Sequence, residues 1–276
     1  MMKNNEAIAL LVSRAIQGDT TALNHLLEAI RKDIYNLSFR MTGDPENASD
    51  ATQEILLRIL KSIGTFRGGS SFETWVYRVA TNYLLSDLAK KSRHIPVVSL
   101  ESLGPMLESG LSEPPASMDA GEREKLAAEI KVGCSLGMLQ CLHKESRLVY
   151  ILGEIIGINS VQGAAILGIS GDNFRQKLSK ARKKITGFTG QYCGLVSSQA
   201  KCSCHQAINR SVNSGFINKN KLRYAHEGEG RLLAEKLDRL VDKSRLLFAT
   251  IPQYDPPSEK LDAIRQMLET AKLFPG

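Results

Sequence analysis

No stretch of the 276-residue chain reaches the roughly 18 consecutive apolar residues that a membrane-spanning helix requires, so none is expected. The opening residues, Met1 to Glu6, lack the apolar core and cleavage pattern of a secretory signal, and the expected location is the cytoplasm. Cysteine is sparse and odd in number: five residues, with Cys134 and Cys141 far from the other three. That count argues against a disulfide framework and suits a reducing compartment. Alternating apolar and polar residues, the signature of strands, are missing, and so is any internal repeat. No activated nucleophile, acid–base pair or phosphate-cradling glycine loop stands out, so an enzyme is not expected. Tryptophan occurs once, as Trp75. What remains is ordinary for a globular protein, 42% apolar and 24% charged, with a length that suits two or three domains.

What the chain does contain is positive charge in one place. Residues 160–168 read as a short helix, Ile169 to Asp172 break it, and Asn173 to Ile185 resume the pattern. Phe174, Leu178, Ala181 and Ile185 recur every three or four residues and share one face. The other faces hold Arg175, Lys177, Lys180, Arg182, Lys183 and Lys184. Six bases against Asp172 leave this segment a surplus of five charges in a chain whose total is +7. A short helix, a glycine-containing turn and a basic second helix make the layout that enters a DNA major groove. A solvated basic helix is the plainer alternative.

The fold class is mainly α, with four parts. Residues 6–93 read as a helical domain with breaks at Gly18–Asp19, Gly43–Pro45 and Gly64–Ser71, each containing glycine. Residues 94–121 form an acidic, proline-rich linker without Lys or Arg from 95 to 120, expected to be extended. Residues 122–188 are a second small helical domain ending in the basic segment. Residues 189–276 are a Cys-containing extension with helical patterns at about 229–249 and 257–273. In the first domain, Ala51, Ile55, Ile59 and Ile63 form an apolar stripe, while Asp50, Glu54, Leu57 and Lys61 gather opposite as a docking patch or a merely solvated face. Ser70 and Glu73 read as a capping box starting a helix near Ser71. On that helix Trp75 is expected in the core, with Tyr77, Arg78 and Thr81 on another surface. A capped helix start beside a glycine loop is suited to holding an unstacked base and its phosphates.

Together these residues resemble the sigma-70 family, in particular the small extracytoplasmic-function type. Asp50 to Glu54 followed by Ile55 to Arg58 is similar to the family's region-two helix that clamps core RNA polymerase. Phe66 to Trp75 with Tyr77 to Asn82 is similar to the segment that opens the promoter minus-ten element. Leu142 to Gly157 and the helix-turn-helix resemble region four, which reads the minus-thirty-five element. The resemblance covers about residues 6–187. It implies core-polymerase contacts at Asp50, Gln53, Glu54 and Leu57, and minus-ten contacts at Gly68, Gly69, Ser70, Ser71, Phe72, Arg78 and Asn82. It implies minus-thirty-five contacts at Asp172, Asn173, Arg175, Gln176, Lys177, Lys180, Arg182 and Lys183. Residues near the start of the second helix are placed to reach base edges, and Lys180, Arg182 and Lys183 to hold backbone. The recognition helix opens Gly171 to Arg175 where the family often has a Thr-Val-Lys-Ser-Arg type start, so no promoter sequence carries over. The linker is expected to mimic nucleic acid in the polymerase channel.

The implied function is that of an RNA polymerase sigma factor; the alternative is a free-standing helix-turn-helix regulator of duplex DNA. The implied partners are core RNA polymerase and promoter DNA, duplex and melted, with either an anti-sigma protein or the extension acting in cis. No cofactor is required. Cys193, Cys202, Cys204 and His205 are nonetheless a candidate zinc set, against the alternatives of a redox-responsive thiol pair or reduced structural cysteines. A thiol- or zinc-dependent enzyme built on this cluster is the remaining reading.

Overall fold

A computed structural model describes residues 5–91, 98–224 and 251–259, with positions 244, 247, 248, 262 and 264. Ten α-helices occur among them: α1 (Asn5–Ile16), α2 (Thr20–Thr42), α3 (Pro45–Ser62), α4 (Phe72–Lys91), α5 (Leu100–Glu108), α6 (Ala120–Gln140), α7 (Lys144–Tyr150), α8 (Ser160–Leu167), α9 (Gly171–Tyr192) and α10 (Ile208–Asn213). A 3-10 turn follows α3, and α7 runs into a π-helical turn, Ile151–Ile156. An isolated bridge between Cys193 and Cys202 is the only β pairing among the described residues. The chain forms two compact units, residues 1–94 with 159–174 and 253–276, and residues 95–158 with 175–252.

The first unit starts its helices where the sequence says they should start. Asp19 Oδ1 accepts the Ala22 N–H at 3.0 Å, and Asp44 Oδ1 accepts that of Asn47 at 2.9 Å, with Pro45 in the first turn of α3. The bond to the Ala22 amide, followed by Arg14, holds the Asp19 carboxyl below its usual range. Gly43 closes α2 with a φ of 71°, a conformation that favours glycine. Leu23, Leu27, Ile30 and Ile34 of α2 bury against Ala51, Ile55 and Ile59 of α3, each at most 1% exposed. Each buried Leu or Ile contributes roughly 1.5–3 kcal/mol by leaving water, against about 1 kcal/mol for a cap. Caps therefore set the boundaries, and the apolar stripes hold the helices in place.

Helix α4 departs from expectation in two ways. Its cap is Ser71, whose Oγ accepts the Thr74 N–H at 3.2 Å, rather than a Ser70–Glu73 box. Tyr77 and Thr81 are 4% and 0% exposed, inside the core instead of on a second surface. The reason is that α4 packs against α2 and α3 and also against α8, so it is buried on more than one side. Burial, then Asp33 and Glu73, pushes the Tyr77 phenol well above its usual range.

In the second unit the acidic linker is not extended throughout. It contains α5, capped reciprocally by Ser99 and Ser102, and Gly104 lets that helix lie against the Tyr192 ring, where a Cβ would sit 2.6 Å from Cε2. Residues 193–224 of the extension pack within this unit rather than as a separate body. Ala207, Ile208 and Ile217 share a core with Leu126 and Ile130 of α6. Arg210 of α10 donates to the Met106, Leu107 and Ser109 carbonyls at 2.9, 2.6 and 3.2 Å, satisfying the end of α5. Buried Glu129 accepts the Arg223 and Tyr224 amides at 2.7 and 2.8 Å. Arg147 ties α7 to the end of α6 through the Leu139, Gln140 and Leu142 carbonyls, and its burial lowers the guanidinium to about 10. The helical patterns at 229–249 and 257–273 lie almost entirely outside the described residues.

Candidate nucleic-acid interface

The helix-turn-helix is built from two short-range devices and one ring. Asn159 Oδ1 accepts the Val161 and Gln162 amides at 3.0 and 2.9 Å and so starts α8. Gly168, with a φ of 65°, ends it. Ser170 Oγ then accepts the Asn173 N–H at 3.2 Å at the start of α9. Gly163 admits the Phe174 ring so closely that a Cβ would overlap it, and Phe174 is 1% exposed. Ala181 and Ile185 are buried as their spacing predicts, and Leu178 is half-buried against Gly153.

The remaining faces of α9 present Asp172, Asn173, Arg175, Gln176, Lys180, Arg182 and Lys183 at the surface. Their charges are not equivalent. Lys177 Nζ lies 3.1 Å from Glu145 Oε2, and that bond holds the Glu145 carboxyl below its usual range. Arg182 pairs with the buried Glu154, its Nε donating to Oε1 at 3.1 Å. Two of the bases expected to meet DNA are therefore already paired within the protein.

The loop before α4 is open on one side. Gly68 has a φ of 72°, and a Cβ added at Gly68 or Gly69 would meet nothing within 4 Å. Glycine is required at 68 by backbone conformation, while at 69 no neighbour demands it. Ser70 is half-buried and Ser71 exposed, whereas Phe72 is buried. Trp75, expected in the core, is only half-buried. Its ring centroid lies 5.8 Å from that of Phe72 and 5.6 Å from that of Phe66. Phe66 closes this triangle at 5.7 Å from Phe72, a role that no periodicity in the loop could signal. Arg78 and Asn82 are exposed one turn apart on α4. Arg78 does not wait in solvent: its Nε donates to the Ala165 carbonyl at 3.0 Å, near the C-terminus of α8 where a cation is favoured.

On α3, Asp50 is exposed and Gln53, Glu54 and Leu57 are half-buried, along the edge of the apolar stripe. Glu54 and Arg58 pair at 3.1 Å, and the Arg58 guanidinium sits 4.9 Å from the centre of the Tyr83 ring.

The proposed zinc set is not assembled. Among the described residues no group of three or more His, Cys, Asp or Glu is arranged to hold a metal ion. His205 Nε2 instead lies 2.9 Å from Glu124 Oε1. The three extension cysteines and Cys134 line an apolar cavity of about 290 Å³ that also touches Leu103 and Met138. Burial pushes the Cys204 thiol up to about 12 and raises those of Cys134, Cys193 and Cys202.

The chain is similar to known proteins. Residues 26–94, which hold the α3 edge, the glycine loop and α4, match the family model for Sigma-70 region 2. The ECF RNA polymerase sigma factor SigE of Mycolicibacterium smegmatis is 24% identical over 186 residues, covering 66% of this chain and 68% of that protein. The RNA polymerase sigma-H factor of Pseudomonas aeruginosa is 27% identical over 184 residues, 67% of this chain and 94% of that one. The ECF RNA polymerase sigma-E factor of Escherichia coli K12 is 25% identical over 182 residues, 64% and 91% respectively.

Proposed function

Because the chain belongs to the sigma-70 family, in its extracytoplasmic-function type, we propose that its exposed surfaces divide the work of promoter recognition. It is an RNA polymerase sigma factor acting in transcription initiation. Its partners are core RNA polymerase and promoter DNA, and its place of work is the cytoplasm; among the described residues no helix is long and apolar enough to cross a membrane. The chemistry of RNA synthesis belongs to the polymerase, and this chain supplies binding and orientation alone.

In this reading α9 enters the major groove of the minus-thirty-five element. Asp172, Asn173, Arg175 and Gln176 face base edges, while Lys180 and Lys183 hold phosphates. Asp50, Gln53, Glu54 and Leu57 dock on core polymerase. The loop from Gly68 to Phe72, with Asn82 and a released Arg78, receives a flipped base of the minus-ten element. Extruding a base costs a few kcal/mol, and stacking on an aromatic group returns roughly 1–3 kcal/mol per base, so loop and aromatic cluster must act together.

The observation that supports this most is the bare glycine loop flanked in sequence by Phe66 and Phe72, whose rings cluster with that of Trp75. A free-standing duplex-binding regulator has no use for it. The test is run-off transcription with core polymerase stripped of its own specificity subunit, on genomic promoter fragments. Specific initiation that depends on this protein is expected. Duplex binding without initiation, and without association with the polymerase, would overturn the assignment in favour of the free-standing regulator.

A further inference from the structure

One segment of the extension, residues 254–257, lies on the first unit as an extended strap over α2 and α3. The Asn36 side chain grips its backbone from both sides: Oδ1 accepts the Tyr254 N–H and Nδ2 donates to the Tyr254 carbonyl, both at 2.9 Å. The same Nδ2 donates to the Lys32 carbonyl at 2.8 Å, so with the strap in place both polar atoms of this buried amide are hydrogen-bonded. The Tyr254 ring meets Phe39 edge-on at 5.0 Å, and its phenol is among the groups that counter the effect of burial on the Arg40 guanidinium. Asp255 pairs with Lys32 at 3.0 Å. Pro256 and Pro257 then line a small pocket together with Ser49, Thr52, Gln53 and Leu56 of α3. Proline suits the position: it donates no hydrogen bond, holds an extended backbone and loses little entropy on docking.

We infer that the α2–α3 face around Asn36 and Gln53 is a receptor for this Tyr-Asp-Pro-Pro segment, and that core polymerase must displace the strap in order to dock. The inference rests on the reading that Gln53 and its neighbours on α3 contact polymerase, since Gln53 is common to both surfaces. A tethered segment acts at an effective concentration near the millimolar range, so a few contacts are enough to hold it, while a larger partner surface still removes it. The strap lowers the affinity for polymerase without changing which promoter is read.

The test uses the full-length protein and core polymerase, with equilibrium affinity as the readout. Tyr254→Ala and Asp255→Lys should each bind polymerase about three- to ten-fold more tightly than the parent. The double exchange Lys32→Glu with Asp255→Lys should return toward the parental value. Far-UV circular dichroism checks that each variant is folded, and amide exchange adds a direct readout: Tyr254 should be protected in the free protein and exchange quickly in the complex. Parental affinity in both single variants, or continued protection of Tyr254 in the complex, overturns the strap and leaves the sigma-factor reading standing. Failure of every form, parent included, to bind polymerase overturns that reading and the strap with it.

Discussion

Glu154 is 5% exposed while its partner Arg182 is 53% exposed, so the two ends of this ion pair carry unequal consequences. Removing the arginine takes one charged partner from a buried carboxylate, which costs on the order of 1–3 kcal/mol, whereas losing a solvated base costs less than about 0.5 kcal/mol. Arg182→Ala should therefore lower stability in urea titrations, and Lys180→Ala should leave it unchanged. On DNA the order reverses. Lys180→Ala should reduce the salt slope of binding by about one, and Arg182→Ala by less. Equal destabilisation by both would show that the Glu154 contact carries no stability. The bases themselves were legible in the sequence, because helical spacing separates them from Phe174, Ala181 and Ile185. Their pairing was not, since Glu145 and Glu154 lie some thirty positions away and only tertiary packing brings them to α9.

Between helices, the close approach of α8 to the start of α9 depends on the absence of a side chain at Gly163. Gly163→Ala forces the Phe174 ring aside and should cost about 1–3 kcal/mol, with a matching loss of affinity for minus-thirty-five duplex. Val161→Ala, at a position 76% exposed on the same helix, is the control and should melt with the parent. A Gly163→Ala protein as stable as the parent would mean that the turn, not the ring, fixes the two helices. Helix starts and stops were the most legible elements: Asp19, Asp44 and Pro45 act within a few residues of themselves, so local chemistry announces them. The start of α4 was misread by one residue because Ser70 and Ser71 are chemically equal, and only the fold makes Ser71 the cap. Helix α5 was hidden for a related reason. Prolines and acids read as linker, while the contacts that stabilise the helix come from Tyr192 and Arg210, far along the chain.

At the scale of the molecule, the sequence order of domains and the folded units differ. Among the described residues, the first unit recruits 159–174 and 253–259, and the linker from 98 onward and residues 193–224 build into the second. A linear pattern shows which segments are helical and apolar, but not which distant segment they close against. Asn36 looks like an ordinary polar residue on α2, and nothing local points to Tyr254, 218 positions away. The sigma-like motifs were legible because each is contiguous; the cavity shared by Cys134 and the extension cysteines was not.

The triangle of Phe66, Phe72 and Trp75 has a further use. With a single indole in 276 residues, light emitted under selective excitation comes from one known place. A nucleobase arriving beside that indole should quench the emission, and duplex DNA that stays closed should not. Promoter opening could then be timed in the unlabelled protein, provided the polymerase background is subtracted. A signal unmoved by single-stranded minus-ten DNA in the presence of polymerase would place the captured base elsewhere.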